Sequence, residues 1–407
     1  MIKSTFFTLF LFLSISVIGQ WSKTNFNEMN YGYSMAYSNN VIYVGTLTKG
    51  MFKSTDNGDT WVEINNGLPI KQIWAVNVLD DVVYIGTNGG GLYKSTGKGD
   101  SWEIANNGIS STATIKDINK FGSKYFAASS NAGIYVSDNG LDWQQNNTGI
   151  TGLVATCLLN TGTDLFCGVL QRVYKYDQAN SAWVKTSNGL PNSSVNSLAY
   201  FSDNSNNYLA AGLYSSVSEL AISNDYGLNW VVADNALPNV PVYTVIAVNN
   251  VLLLGNDYGV YISDDKGNNW NDFSQGFTGA SYATFLTKGL NDIYVLYKGG
   301  VWKRSISDFI TSVKTNEINN LDYTLNQNYP NPFNPSTNIS FILPVGGFVS
   351  LKVYDSLGKE VSTLLNEQKH AGSYSINFDA TNLTSGIYYY KLSSGNFTQT
   401  KKMVLIR

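Results

Sequence analysis

The residues that could carry chemistry in this chain are few, and their scarcity narrows the reactions open to it. There is one histidine, His370, and it stands close to the far end. The first three hundred or so residues therefore cannot build a Ser-His-Asp triad, which needs an imidazole to take the hydroxyl proton. Two cysteines, Cys157 and Cys167, flank the turn sequence NTGTD between two apolar runs, so they are predicted to face each other across one hairpin. In an exported chain such a pair is either a disulfide or two buried thiols. With no histidine near them they do not suggest a metal centre, and no cofactor motif stands elsewhere. Hydrolysis of a glycosidic bond needs two carboxyl groups flanking the bond. Asp117, in the run IKDINKF, is the best single candidate, because it falls within a predicted inner strand rather than a turn. It has no obvious partner, and an inner-strand aspartate bonded to neighbouring backbone is the plainer reading.

Binding chemistry is better supplied. Tyr33, Trp74, Tyr243 and Tyr282 stand at or near the start of predicted inner strands. Equivalent positions around a ring would set several aromatic rings about one central mouth, where flat faces take sugars or other apolar surfaces. The same rings would also serve as ordinary packing between sheets. Charged residues make up 14% of the chain, the formal net charge is −3, and there is no run of Lys or Arg. A nucleic-acid partner is excluded on that ground.

The elements that must position these residues come from a repeat of about forty residues. Its fixed piece is a turn: STDNGDTW at Ser54–Trp61, SNDYGLNW at Ser223–Trp230 and SDDKGNNW at Ser263–Trp270. Looser copies are STGKGDSW at Ser95–Trp102, where Gly97 replaces Asp, and SDNGLDW at Ser137–Trp143. The second of these keeps Asp138, Gly140 and Trp143 in register, with Val136 in the place of Ser. Before each turn comes a piece such as GMFKS, GLYKS, GIYVS or GVYIS, and before that a short strand such as VIYVGT or VLLLGN. Degenerate copies RVYKY, ELAIS and GVWKR bring the number of units to seven. Each unit reads as strand, strand, strand, turn, then a fourth strand opening on Trp. Seven such units predict an all-β fold, a seven-bladed β-propeller. The seventh unit stops after Arg304 without its Trp strand, and Trp21-Ser22-Lys23 stands unclaimed at the other end. The N-terminal strand is therefore predicted to complete the last blade and close the ring.

The repeated turn resembles the Asp-box, or BNR repeat, of sialidases and related propellers. The pattern is carried in full by Ser54, Asp56, Gly58 and Trp61, by Ser223, Asp225, Gly227 and Trp230, and by Ser263, Asp265, Gly267 and Trp270. The resemblance implies a structural role on the rim away from the ligand face. The Asp accepts backbone N–H bonds, Gly takes a positive φ, and Trp packs between sheets. DNGD and DDKGNN look faintly like the start of a calcium loop, but no Glu stands at the twelfth position. Sialidases hold the substrate carboxylate with an Arg cluster. This chain has three arginines, Arg172, Arg304 and Arg407, so a sialidase of the usual kind is excluded. Xyloglucan-cleaving relatives need two propellers where one is predicted here. The photosystem II assembly factors, also similar, imply binding of a protein instead.

The two ends predict the cellular address. Lys3 followed by FFTLFLFLSISV reads as a signal peptide over residues 1–19, too short to be a membrane span and without a Cys for a lipid anchor. The propeller occupies residues 20–310, and a polar linker runs over 311–322. Residues 323–407 then alternate as a small Ig-like β-sandwich. That last segment carries NYPNPFNPST, VYDSLGKEV, LTSGIYYYKL and KKMVLIR, in the order found in the type A C-terminal sorting domain of type IX secretion systems of Bacteroidetes-like bacteria. The resemblance implies handling by that machinery and a secreted or outer-membrane-surface protein. His370, in the loop EQKHAGS, is read as a surface residue. Three functions stay open: a non-catalytic propeller binding a glycan or protein, a glycoside hydrolase or lyase on an extracellular polysaccharide, or a structural spacer or adhesin component.

Overall fold

The computed structural model describes residues 19–27, 29, 31–203, 206–215, 219–233, 237–279, 281–310, 324–328, 330–343, 347–369, 372–394 and 397–406. His370, residues 1–18 of the predicted signal peptide and the predicted linker at 311–322 lie outside the described residues. The chain divides into two compact units, residues 1–310 and 311–407.

In the first unit the described residues form seven four-stranded antiparallel sheets. The innermost strands are Gly32–Ser38, Ile73–Leu79, Ile115–Phe121, Ala155–Asn160, Ser194–Ser202, Thr244–Val248 and Ala283–Lys288. Each packs beside the next, and the first packs beside the last, so the sheets close into a ring, the arrangement of a β-propeller. Six sheets are consecutive in sequence. The seventh takes its outer strand from the other end of the chain, with Ser22 opposite Lys303 and Lys23 opposite Trp302.

Sequence pattern follows from this stacking. The second strand of a blade has a neighbouring sheet on each face, so it is apolar throughout rather than alternating. Val41–Thr46 and Val251–Asn256 are buried at every position. The cores lie between blades: Val83, Ile85 and Trp102 of the second blade pack with Tyr43 and Met51 of the first. Phe26, Met35, Val44, Tyr294, Leu296 and Val301 do the same where the last blade meets the first. Outer strands such as Val62–Glu63 are two residues long and exposed, which leaves little edge for stray pairing.

The repeated turn is a hydrogen-bonded cap. Ser54 Oγ accepts the Gly58 N–H at 2.9 Å and donates to Asp56 at 2.8 Å, while Asp56 accepts the Thr60 N–H at 2.8 Å. Ser223, Asp225 and Gly227 repeat this, as do Ser263, Asp265 and Gly267. Gly227 stands at φ +91, a conformation that a side chain disfavours. In the shorter third copy the structure differs from the sequence register. Ser137 takes the Ser place, and Asn139 accepts the N–H groups of Leu141 and Asp142. Asp138 points elsewhere and pairs with Lys124 at 2.6 Å. A turn one residue shorter brings position 139, not 138, over the backbone donors.

The tryptophans latch neighbouring blades. Trp102 donates its Nε1–H to Ile64, Trp143 to Ala105, Trp230 to Thr186 and Trp270 to Ala233, each a carbonyl at the outer edge of the preceding blade, whereas Trp61 donates to Gly58 of its own turn. Trp21 continues the series by donating to Phe273 at 2.7 Å.

In the second unit one sheet orders Thr324–Leu325, Ser336–Leu343 and Gly372–Asp379. The other orders Glu360–Lys369, Gly347–Tyr354, Gly386–Ser394 and Phe397–Leu405. Ile339 and Phe341 of the first share one core with Leu351, Tyr390, Leu392 and Met403 of the second. The proline-rich segment is docked on the last strand: Phe333 exchanges backbone bonds with Val404 and Ile406, and Asn331 accepts the Val404 N–H. Proline cannot serve inside a sheet, and here it borders one.

Candidate functional site

The residues at the centre of the ring are aimed by a local irregularity. In six of the innermost strands the register with the second strand slips by one residue at the same place. The extra residues are Tyr33, Trp74, Lys116, Thr156, Asn196 and Thr284. A bulge of this kind removes a residue from the ladder and re-aims its side chain. In the sixth blade the ladder is regular from Thr244, and Tyr243, one residue earlier, holds the corresponding place.

Three of these side chains meet. Tyr33 and Trp74 pack edge to face with centroids 4.4 Å apart. Lys116 sets its Nζ 3.1 Å from the Trp74 ring centroid and 5.7 Å from that of Tyr33. Burial pushes the Lys116 ammonium down to about 8. Burial, and then the neighbouring Tyr214, push the Tyr33 phenol up to about 12. Tyr214 in turn lies 6.0 Å from Tyr243. Tyr243 donates to Asp257 at 2.7 Å, and its phenol is raised by burial, by that bond, and by the nearby Tyr214 and Tyr282. Tyr214 and Tyr282 are themselves exposed. The four aromatic residues singled out from sequence are thus drawn into one neighbourhood. Tyr282 enters it from before its strand, because Thr284 occupies the bulge. Lys116, Tyr214 and Asp257 were missed. Setting IKD beside IWA and GYS would have found Lys116.

The remaining ring positions are tied down. Thr156 donates to the Val195 carbonyl, and Asn196 donates to that of Tyr243 at 2.9 Å. Arg304 is buried with its guanidinium 3.5 Å from the Phe273 centroid, far from any role as a substrate clamp. Asp117 accepts the Ile118 and Leu158 N–H groups, each at 2.7 Å, and so joins the third blade to the fourth. Burial outweighs those two bonds and pushes its carboxyl up to about 7. Cys157 and Cys167 are unbridged and buried. They are one step out of register, Cys157 opposite Gly168 and Cys167 opposite Leu158, and burial raises both thiols.

A groove of about 450 Å³ lies elsewhere, lined by Phe121, Thr163, Lys175, Tyr176 and Val184 among others. Its Lys175 is already paired with Asp164 at 2.9 Å. Among the described residues no group of three or more His, Cys, Asp or Glu side chains could hold a metal ion. No helix of the described residues is long and apolar enough to cross a membrane.

Comparison with known proteins fits this architecture. Residues 69–271 match the DUF6242 β-propeller domain, and residues 327–406 match the secretion system C-terminal sorting domain. No curated protein matches in sequence. Among solved structures, YCF48 from Cyanidioschyzon merolae is 12% identical with a TM-score of 0.58, over 71% of this chain and 99% of its own. YCF48 bound to D1 peptide is 14% identical with a TM-score of 0.55, over 71% and 96%. PorZ, a bacterial surface component of the type IX secretion system of Porphyromonas gingivalis, is 14% identical with a TM-score of 0.52. That match covers 93% of this chain, which spans 60% of PorZ. The chain is a β-propeller protein carrying a type IX sorting domain, and its place is secreted or on the cell surface.

Proposed function

We propose that the propeller, a seven-bladed one of the Asp-box type, is a non-catalytic binding module that takes an extracellular glycan at its central mouth. The observation behind this reading is the set of bulge-aimed rings, Tyr33 and Trp74, with the exposed Tyr214 near Tyr33 and Tyr243 and the exposed Tyr282 near Tyr243. Aromatic faces stack on sugar rings and phenol hydroxyls meet sugar hydroxyls. Asp117, the best acid candidate, is bonded to backbone at both oxygens, which argues against general acid–base work. Export starts at residue 20 in this reading, and residues 323–407 deliver the propeller to the type IX machinery after a linker at 311–322.

A glycan array probed with the full chain tests the proposal. Trp74→Ala and Tyr243→Ala should each weaken binding by about 1–3 kcal/mol, as aromatic contact residues do. An equal loss of melting temperature with no selective loss of binding would return these rings to packing. Release of reducing sugar, abolished by Asp117→Asn, would favour a hydrolase instead. A second reading, a peptide or protein partner, is favoured by the similarity to YCF48 bound to D1 peptide.

A further inference from the structure

The lysine at the mouth is an exception among its kind. Lys120, Lys175, Lys266 and Lys369 also lie over aromatic rings. Each of them reaches a carboxylate as well, Asp80 at 2.5 Å, Asp164 at 2.9 Å, Asp203 at 2.6 Å and Glu367 at 2.6 Å. Lys116 has rings alone: among the described residues it makes no ion pair. The ring beneath it is unusual too. The Trp74 Nε1–H is buried without an acceptor, a state it shares only with Trp302 among the tryptophans, since Trp21, Trp61, Trp102, Trp143, Trp183, Trp230 and Trp270 each donate to a carbonyl. An ammonium without a counter-ion and a buried donor without an acceptor, on one indole, are both costly in a folded protein.

We infer that the mouth is built for an acidic sugar, a uronate-bearing glycan whose carboxylate pairs with Lys116. This rests on the glycan reading above. In the structure the amine covers the Trp74 indole. A carboxylate bound beside the ring pairs with the Lys116 ammonium and supplies the counter-ion it lacks. The exposed neighbours, Tyr214 and Tyr282, are phenols and not aliphatic side chains. They suit a hydroxylated pyranose next to the carboxylate better than the apolar residue of a peptide terminus. Asp257, bonded to Tyr243, offers further acceptor capacity for sugar hydroxyls.

The test is calorimetric titration of the full chain with oligogalacturonate, oligoglucuronate and oligoalginate, each compared with its methyl ester. The ester keeps the ring and removes the charge. At least one acid should bind about 10-fold more tightly than its ester, and the difference should shrink as salt is raised. Lys116→Met keeps the aliphatic stem over Trp74. It should bring the acid down to the ester's affinity at an unchanged melting temperature. Equal affinity for every acid and its ester, or an acid preference that survives in Lys116→Met, would overturn the inference. In that case binding of a neutral glycan on the array would leave the glycan reading standing. Failure of all sugars, with binding of a peptide through its terminal carboxylate, would overturn both.

Discussion

Trp21 and Phe273 are 252 residues apart in sequence, yet the indole N–H of one is bonded to the carbonyl of the other at 2.7 Å. The same indole stacks on Phe277, centroids 5.3 Å apart, and is 2% exposed. Each latching tryptophan along the chain makes this contact with the blade before it. Trp21 makes it from the chain's beginning to the sixth blade, and so fills the place that the seventh blade lacks.

Removing residues 20–27 should therefore open the ring. We expect a large fall in melting temperature, and Trp21→Ala alone should cost about 3–5 kcal/mol, as truncation of a buried tryptophan does. Thermal unfolding followed by circular dichroism is the check. A deletion that melts with the full chain would show that the last blade stands without this strand.

Ser223 is fully buried, and its hydroxyl is the acceptor for the Gly227 N–H at 2.7 Å. Ser223→Ala leaves that buried donor without a partner and should cost about 1–3 kcal/mol in urea unfolding. Fold and binding should survive, because the turn lies away from the mouth. A change too small to measure would mean that water replaces the hydroxyl.

Asp117 predicts a pH dependence. Its folded value is raised from 3.8 to about 7, so the folded state holds the proton over that interval while the unfolded state has lost it. The contribution to stability is full below the unfolded value and is lost as pH rises through the folded one. Stability should thus slope downward between about pH 4 and pH 7, and Asp117→Asn should flatten the slope relative to wild type. Parallel pH profiles for the two proteins would assign the slope to other groups.

Truncation after residue 322 should leave the propeller folded but undelivered. The sorting unit has its own core, from Leu325 to Leu405. In a host with type IX secretion, the truncated chain should accumulate in the periplasm. Its normal arrival at the surface would sink the assignment of residues 323–407 as the address.

Much of the fold was legible because the repeat writes one pattern many times. Runs such as VIYVGT announce strands buried on both faces, and the Ser, Asp, Gly and Trp of the turn announce hairpins. The mouth was harder to read, for a physical reason. A one-residue register slip leaves no mark on composition or periodicity, so only setting IKD against IWA, repeat against repeat, puts Lys116 level with Trp74. The third turn misled in a similar way. Its one-residue deletion moved the capping role from Asp138 to Asn139, and only the donors' positions show it. The off-register cysteines have another origin: the turn sets Asn160 opposite Leu165, and the regular ladder from there puts Cys157 opposite Gly168 and Cys167 opposite Leu158.

Closure by the first strand also sets an order of events. Ser22–Lys23 is synthesised ahead of the other propeller strands, but its partner, Gly300–Ser305, is synthesised after them. Until then the earlier sheets form an open arc with a raw apolar flank at each end. Non-local pairing of this span is slow, because the loop must close before any contact rewards it. A chain cut short ahead of Gly300 has nothing to seal against and keeps both flanks bare. The ring therefore seals only in a chain long enough to reach its seventh sheet.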